Sequence, residues 1–571
     1  MRNALSCLLP TAVLLIATLL LAACGADETR SAAQQSAAAA SAGIGTRPSR
    51  EQILSRTLSS TPTGFDPSLI TDVSAQRVLD DLFEGLTAFG ADGQPGPGVA
   101  SSWETSEDGL VWTFHLRPEA RWSNGVPLTA DDFVRGWRRT VDPKTAASYA
   151  QAVAPVLNAL EIATGKRPVS DLGVEALDAH TLRVQLSEPA PYLPFLMTNA
   201  WMYPLYLPAI EKHGDGWTRV ENIVSNGAFR LVENVIGNRI TLERNPEYWD
   251  TANVRLERVI YHVLEDRNAQ SQRFLADRVQ FVDTVQATDL PWLRARLGPQ
   301  VVVEPYFGTF MIGINHLRGP LHGNAKLRLA LSIAIDRDKL AKYVLNGAGF
   351  PAYTIMPPLE NYEPQIPDWA RLPTPERHAL AQRLYREAGY SAEHPLRTEL
   401  ATASGDPASL LSYEALCAMW RTVLGAEISI HTQEFKVLLQ NNRLHQNILF
   451  HSAWIGDYPD PYTFLQLYRT GFDLNYGGYS HPAYDALLDD ASRQPTRESR
   501  YHTFERAERM LNEDAALIPV SHYAVRHLIK PYLKGYVPNA FDRNPSRHMY
   551  LLEHQGEPDV QPTPAARTPT R

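Results

Sequence analysis

The sequence predicts a mixed α/β protein of several lobes. Three observations carry this: the length of the chain, its composition, and the irregular succession of strand and helix patterns along it. At 571 residues the chain exceeds what one hydrophobic core can organise, so more than one lobe is expected. With 44% hydrophobic and 20% charged residues it has the make-up of an ordinary globular body. Period-two passages alternate irregularly with helical ones, the pattern of a mixed fold whose chain crosses between lobes. No repeat of fixed period is found in the body.

The elements follow in order. Arg2 precedes an apolar run from Thr11 to Ala23. The run is too short and too abruptly ended for a spanning helix, and it reads as a signal peptide over residues 1–23. It closes on Leu21-Ala22-Ala23-Cys24-Gly25. A small residue before a cysteine at that point predicts cleavage before Cys24 and its acylation, which would hold the protein on a membrane. Residues 24–50 are rich in Ala, Ser and Gln and read as a disordered tether. Residues 555–571, rich in Pro and Thr, read as a disordered tail. The folded body is therefore expected over 51–554.

Within the body, Leu110 to Arg117 alternates Leu110, Trp112, Phe114 and Leu116 with Val111, Thr113, His115 and Arg117, which specifies a half-buried strand. Asn124-Gly125 marks a turn. Thr129 to Asp132 forms a variant capping box ahead of Phe133 and Trp137, four apart on one helix face. A second alternating strand runs from Thr181 to Leu186 and is stopped by Pro189. Lys326 to Asp336 is too continuously apolar for an exposed helix and is expected to be buried. Phe350-Pro351-Ala352-Tyr353 and Pro357-Pro358 are expected as loop.

Composition also narrows the function. A net charge of −9, without clustered Lys or Arg, argues against a nucleic-acid partner. Of three cysteines, Cys7 leaves with the signal and Cys24 is taken by lipid. Cys417 then stands alone, which excludes an intramolecular disulfide, and it is read as a small buried hydrophobe on a helix. The sequence holds no His-Glu-x-x-His zinc helix, no Gly-x-Ser-x-Gly elbow and no phosphate-cradling loop. Its 17 histidines are scattered, with no metal spacing. No cofactor, no metal and no catalytic residue is expected, and the chain is read as not an enzyme. Asp457 and Asp460 could be imagined as an acid and base pair, but a Pro-rich loop fixes neither the distance nor the split pKa values that such chemistry needs.

Several ordered blocks carry a family likeness: Asp80 to Leu86, Pro97 to Ala100 with Trp103, Val111 to Pro118, Trp122 to Gly125 and Thr129 to Phe133. Further on come Asp142-Pro143, Leu186 to Pro189, Ser225 to Phe229, Asn245-Pro246 with Tyr248-Trp249, Asp336-Arg337, and Ala453-Trp454 with Asp457-Tyr458. Read together across nearly the whole body, they resemble the oligopeptide-binding members of the periplasmic solute-binding proteins that serve dipeptide and oligopeptide ABC importers. The resemblance implies an α/β, two-lobed periplasmic-binding-protein-like fold with a hinge and an additional inserted domain. It places lobe 1 at 51–83, 208–308 and 524–554, the added domain at 84–207 and lobe 2 at 309–523. It also implies a periplasmic or cell-envelope location, a short peptide ligand, permease subunits of an ABC transporter as partners, and a monomer.

The resemblance further implies a ligand site. Asp457 matches the position that makes the salt bridge to the ligand's α-amino group; alone, an aspartate before Pro459 would read as a turn residue. Ala453, Trp454 and Ile455 beside it would offer main-chain groups and an aromatic wall, and Phe435 matches a pocket-lining aromatic. Thr71-Asp72-Val73 matches the lobe 1 segment whose backbone pairs with the peptide. Phe310 and Met311 are further pocket residues. Where oligopeptide-binding members present cations to the ligand carboxylate, this chain holds Leu345, Ser409 and His451. Of these only His451 can carry charge, mainly below its unperturbed pKa of about 6.5. That departure leaves peptide length open and admits a cell-wall-derived peptide. A metal chelate, sugar or haem on the same scaffold is the alternative cargo, and a hydrolase the remote one.

Overall fold

The computed structural model describes residues 44–554 except 148–152, 405, 406 and 495. The signal run, Cys24, most of the tether and the tail from 555 lie outside the described residues.

The first strand forms as Val111–Leu116, with Trp112, Phe114 and Leu116 buried and the intervening side chains more open. It lies inside a four-stranded antiparallel sheet, between Ala100–Thr105 and Thr181–Gln185, with Val174–Asp178 at the far edge. The turn at Gly125 needs a left-handed backbone, φ +82°, which glycine adopts without a Cβ clash. Helix Ala130–Val141 then starts where expected. The Asp132 carboxylate accepts from the Thr129 N–H at 2.8 Å and the Trp122 indole N–H at 3.3 Å, tying the helix start to the turn before it. Phe133 and Trp137 are fully buried on its inner face.

A second, eleven-stranded sheet organises the remainder. Its centre is formed by two long antiparallel strands, Val301–Ile314 and Leu517–Ile529. They are longer than common strands because each serves two cores. At one end Val302 and Ile529 pack into the core that includes Leu82, Phe114, Trp137 and Val259. At the other end Phe310, Ile312, Ile518 and Val520 enter the core of Leu331, Leu400 and Trp420. These strands join the two lobes. Their register slips between the pairs Pro305–Ala524 and Thr309–His522, so that Tyr306, Phe307 and Gly308 face Tyr523 alone. Such a bulge bends the pair locally. The four-stranded sheet has no core of its own, since its buried residues belong to the same cluster as Leu54, Val259 and Tyr261 of the large sheet.

Three expectations are corrected. Residues 44–50, read as the end of the tether, belong to the folded body, because Ile44–Pro48 is a strand paired antiparallel with Tyr550–His554. Gly349–Pro351, read as part of a loop, is a short edge strand on Leu517–Ile529. Proline is tolerated there because an edge strand has a side where no N–H is required. The buried helix forms as Ala325–Ile333 and stops early, because Asp336 caps a separate turn, Arg337–Lys339, accepting from the Lys339 N–H at 3.1 Å. Cys417 is buried in a helix as expected, and burial pushes its thiol up to about 11. Among the described residues no helix is long and apolar enough to cross a membrane.

Candidate ligand-binding site

Strand Leu449–Ile455 carries the residues singled out by sequence. On one side it pairs with Val301–Ile314 along its whole length, from Ile314–Leu449 to Gly308–Ile455. On the other, pairing with Arg397–Ala403 covers only Leu449 and Phe450. The backbone of Ser452 to Ile455 therefore forms a sheet edge beyond its second neighbour, the element that an extended chain can join.

Trp454 and Ala453 line a cavity of about 160 Å³, together with Ser452, Leu439, Tyr468 and Tyr476. Phe435 opens the helix Phe435–Arg443 that supplies Leu439, and its own ring is half exposed. Ile455 is exposed at the strand end.

Asp457 follows after Gly456. That glycine is required, because a Cβ there would lie 2.3 Å from the Phe307 ring, and its N–H donates to the Phe307 carbonyl at 2.8 Å. The loop is thus seated on the strand bulge. Asp457 is exposed at the surface of this loop. Desolvation by neighbouring protein nevertheless pushes its carboxyl up to about 6, partly offset by a hydrogen bond from the Thr463 hydroxyl. Among the described residues no cationic side chain pairs with it.

Thr463, which sequence reasoning missed, is a hub. Its fully buried hydroxyl oxygen accepts from the Trp454 indole N–H and the Asp457 N–H, both at 3.1 Å. No sequence signal marks it, because a lone threonine in the short helix Tyr462–Leu465 belongs to no pattern that reveals its partners. Thr463→Val leaves both donors unpaired and is expected to cost about 1–3 kcal/mol in urea unfolding, with Thr463→Ser close to wild type. An unaltered unfolding midpoint in the valine variant would remove Thr463 from this role.

Three expected pocket residues sit elsewhere. Phe310 is buried, its ring centroid 5.5 Å from His451 and 5.8 Å from Tyr413. Met311 is fully buried, with the Tyr468 hydroxyl donating to its sulfur at 3.4 Å. Both are core residues because the central strand is covered on both faces. His451 is half-buried, stacked on Phe310 and 2.8 Å from the Tyr413 hydroxyl, so its ring is engaged within its own lobe. On the other lobe Thr71 and Val73 are exposed, but they do not form a strand. Asp72 is extended (φ −130°, ψ 152°) and caps helix Val73–Leu82, which limits extended backbone to the residues before Val73.

Asp460 differs sharply from Asp457. It is buried and held by Arg500, whose Nε and Nη2 donate to its two oxygens at 2.9 and 3.3 Å. An acid and base pair of the two aspartates is therefore not available.

Two lobes joined by crossing strands, with an uncompensated carboxylate beside an open sheet edge at their junction, define a ligand-capturing binding protein. The chain belongs to family 5 of the bacterial extracellular solute-binding proteins, whose model matches residues 94–513. It is 34% identical over 521 residues to the periplasmic oligopeptide-binding protein OppA of Salmonella typhimurium, covering 90% of this chain and 95% of that one. It is 35% identical over 499 residues to the probable deoxycholate-binding periplasmic protein YgiS of Escherichia coli, covering 87% and 92%. Among solved structures, the unliganded open form of the periplasmic murein tripeptide binding protein MppA superposes with a TM-score of 0.82 at 33% identity, over 90% of this chain and 99% of that one.

Proposed function

We propose that this protein captures short peptides by their free α-amino group and delivers them to an ABC importer. The observation that carries this reading is Asp457, an exposed carboxylate beside the open sheet edge, raised by desolvation and without a cationic partner among the described residues. A carboxylate that nearby protein partly desolvates gains from an opposite charge, and a peptide ammonium supplies one through a charge-assisted hydrogen bond. The sheet edge from Ser452 to Ile455 would pair with the peptide backbone without reading its sequence, and the cavity beside Trp454 would take a side chain.

Closure of the lobes would occur at the strand bulge, with lobe 1 at 51–83, 208–308 and 524–554, the added domain at 84–207 and lobe 2 at 309–523. The likeness to an open, unliganded relative supports an open resting form. The same reading places the protein in the periplasm or cell envelope, tethered by lipid on Cys24, as a monomeric receptor and not an enzyme.

An anionic cargo such as the deoxycholate named for one relative is disfavoured, since Asp457 would repel it. Protein purified without denaturation from producing cells and examined by native mass spectrometry should release short peptides. Release of only sugar, steroid or metal chelate would overturn the reading.

A further inference from the structure

The ring of Tyr192 lies face to face with that of Tyr458, centroids 3.9 Å apart and planes 6° off parallel. Tyr192 follows the four-stranded sheet in sequence, whereas Tyr458 is the immediate neighbour of Asp457. With the domain bounds proposed above, the stack is a contact between the added domain and lobe 2 at the proposed amine site. It is built, not incidental. Tyr192 is 5% exposed and the Arg500 guanidinium carbon lies 5.7 Å from its ring centroid. Arg500 is itself fixed by Asp460 and by the Ala491 carbonyl at 2.9 Å.

A second path leaves the same segment. Phe195, in the short helix that Tyr192 precedes, packs on Phe541 at 4.2 Å, and Phe541 on Phe307 at 5.0 Å. Phe307 carries the Gly456 N–H on its carbonyl. The residues on both sides of Asp457, Gly456 and Tyr458, are thus held from the segment Tyr192 to Phe195.

We propose that Tyr192 is a positioning residue for the ligand amine. Through its stack on Tyr458, the module that carries the four-stranded sheet fixes where the Asp457 carboxylate stands, and so sets the affinity for an ammonium without touching the ligand. A carboxylate that must meet an ammonium at hydrogen-bond distance loses most of its contribution when its loop can move by an ångström or so. The inference rests on the reading of Asp457 given above.

The test is a double-mutant cycle on the full chain with trialanine as probe, by isothermal titration at pH 7.5. Tyr192→Leu keeps apolar bulk but removes the ring face, and Tyr192→Phe keeps the stack. Tyr192→Leu should weaken trialanine about tenfold and Tyr192→Phe less than about twofold, while in an Asp457→Asn background Tyr192→Leu should add less than about twofold. Tyr192→Leu should also move the pH midpoint of binding, because freeing the loop changes how far neighbouring protein desolvates the carboxyl. Equal losses from Tyr192→Leu with and without Asp457, or an unmoved midpoint, would reduce Tyr192 to a packing residue and overturn the inference. Unweakened binding in Asp457→Asn alone would overturn the reading of the site itself. A loss in Asp457→Asn with none in Tyr192→Leu would overturn only the positioning role.

Discussion

Replacing Asp457 by Asn is expected to weaken binding of a free-amine peptide about 10- to 100-fold at pH 7.5, the size of one charge-assisted hydrogen bond of about 1.5–3 kcal/mol. The pH dependence follows from the carboxyl, pushed up to about 6 by desolvation. Only its charged form attracts an ammonium, so wild-type affinity should rise as pH increases through about 6, whereas the Asn variant should show no such rise. Stability of the ligand-free protein should move the other way. A carboxyl raised from 3.8 to about 6 in the fold contributes stability that is complete below the lower value and lost as pH rises through the upper one. Asn cannot ionise, so at pH 7.5 the variant's thermal midpoint should equal or exceed that of wild type. Titration calorimetry across pH 5–8, with scanning calorimetry alongside, reads both effects. Lower affinity accompanied by a lower midpoint would mean that Asp457 serves the fold.

Asp460→Ala is expected to act on the fold. Arg500 and Asp460 have side chains only 1% and 3% exposed, and the loss of one partner leaves the other charge buried and unpaired. Breaking such a pair costs about 3–5 kcal/mol, read as a fall in the urea unfolding midpoint. Replacing both with apolar residues of similar volume, as in Asp460→Leu with Arg500→Met, should recover much of the loss, because no charge is then stranded. A destabilised double variant no better than the single would show that the pair's geometry matters beyond its charge. Three positions apart in sequence, the two aspartates thus separate into one exposed without a cationic partner among the described residues and one buried in an ion pair.

How much of this was legible beforehand depended on how local the determinant was. The strand at Val111–Leu116 and the helix start at Thr129 were readable because alternation and capping act over a few residues. The strand at Gly349–Pro351 was missed because it exists only by virtue of its partner, far along the chain. Phe310 and Met311 were read as pocket residues, yet successive residues of a strand point to opposite faces, and here both faces are covered by core. Residues 71–73 were placed as a peptide-pairing segment, whereas Asp72 turns the chain into a helix by accepting from the Ala75 N–H. Asp457, Trp454 and Ala453 were singled out through family likeness, and Trp454 and Ala453 line one cavity. Thr463 and Tyr192 were not, and Tyr458 entered only as part of a family block, since a hydroxyl hub and a stack between distant segments leave no periodic trace. Nor did the sequence separate Asp457 from Asp460, because their difference is the presence of Arg500 beside only one of them.

The central claim is that the ligand is held by its ammonium at Asp457. Its most direct test is titration of the wild-type protein at pH 7.5 with trialanine and with N-acetyl-trialanine, which differ in that group and keep the rest of the backbone. The account predicts that acetylation weakens binding at least about tenfold. Equal affinity for the two peptides would contradict it.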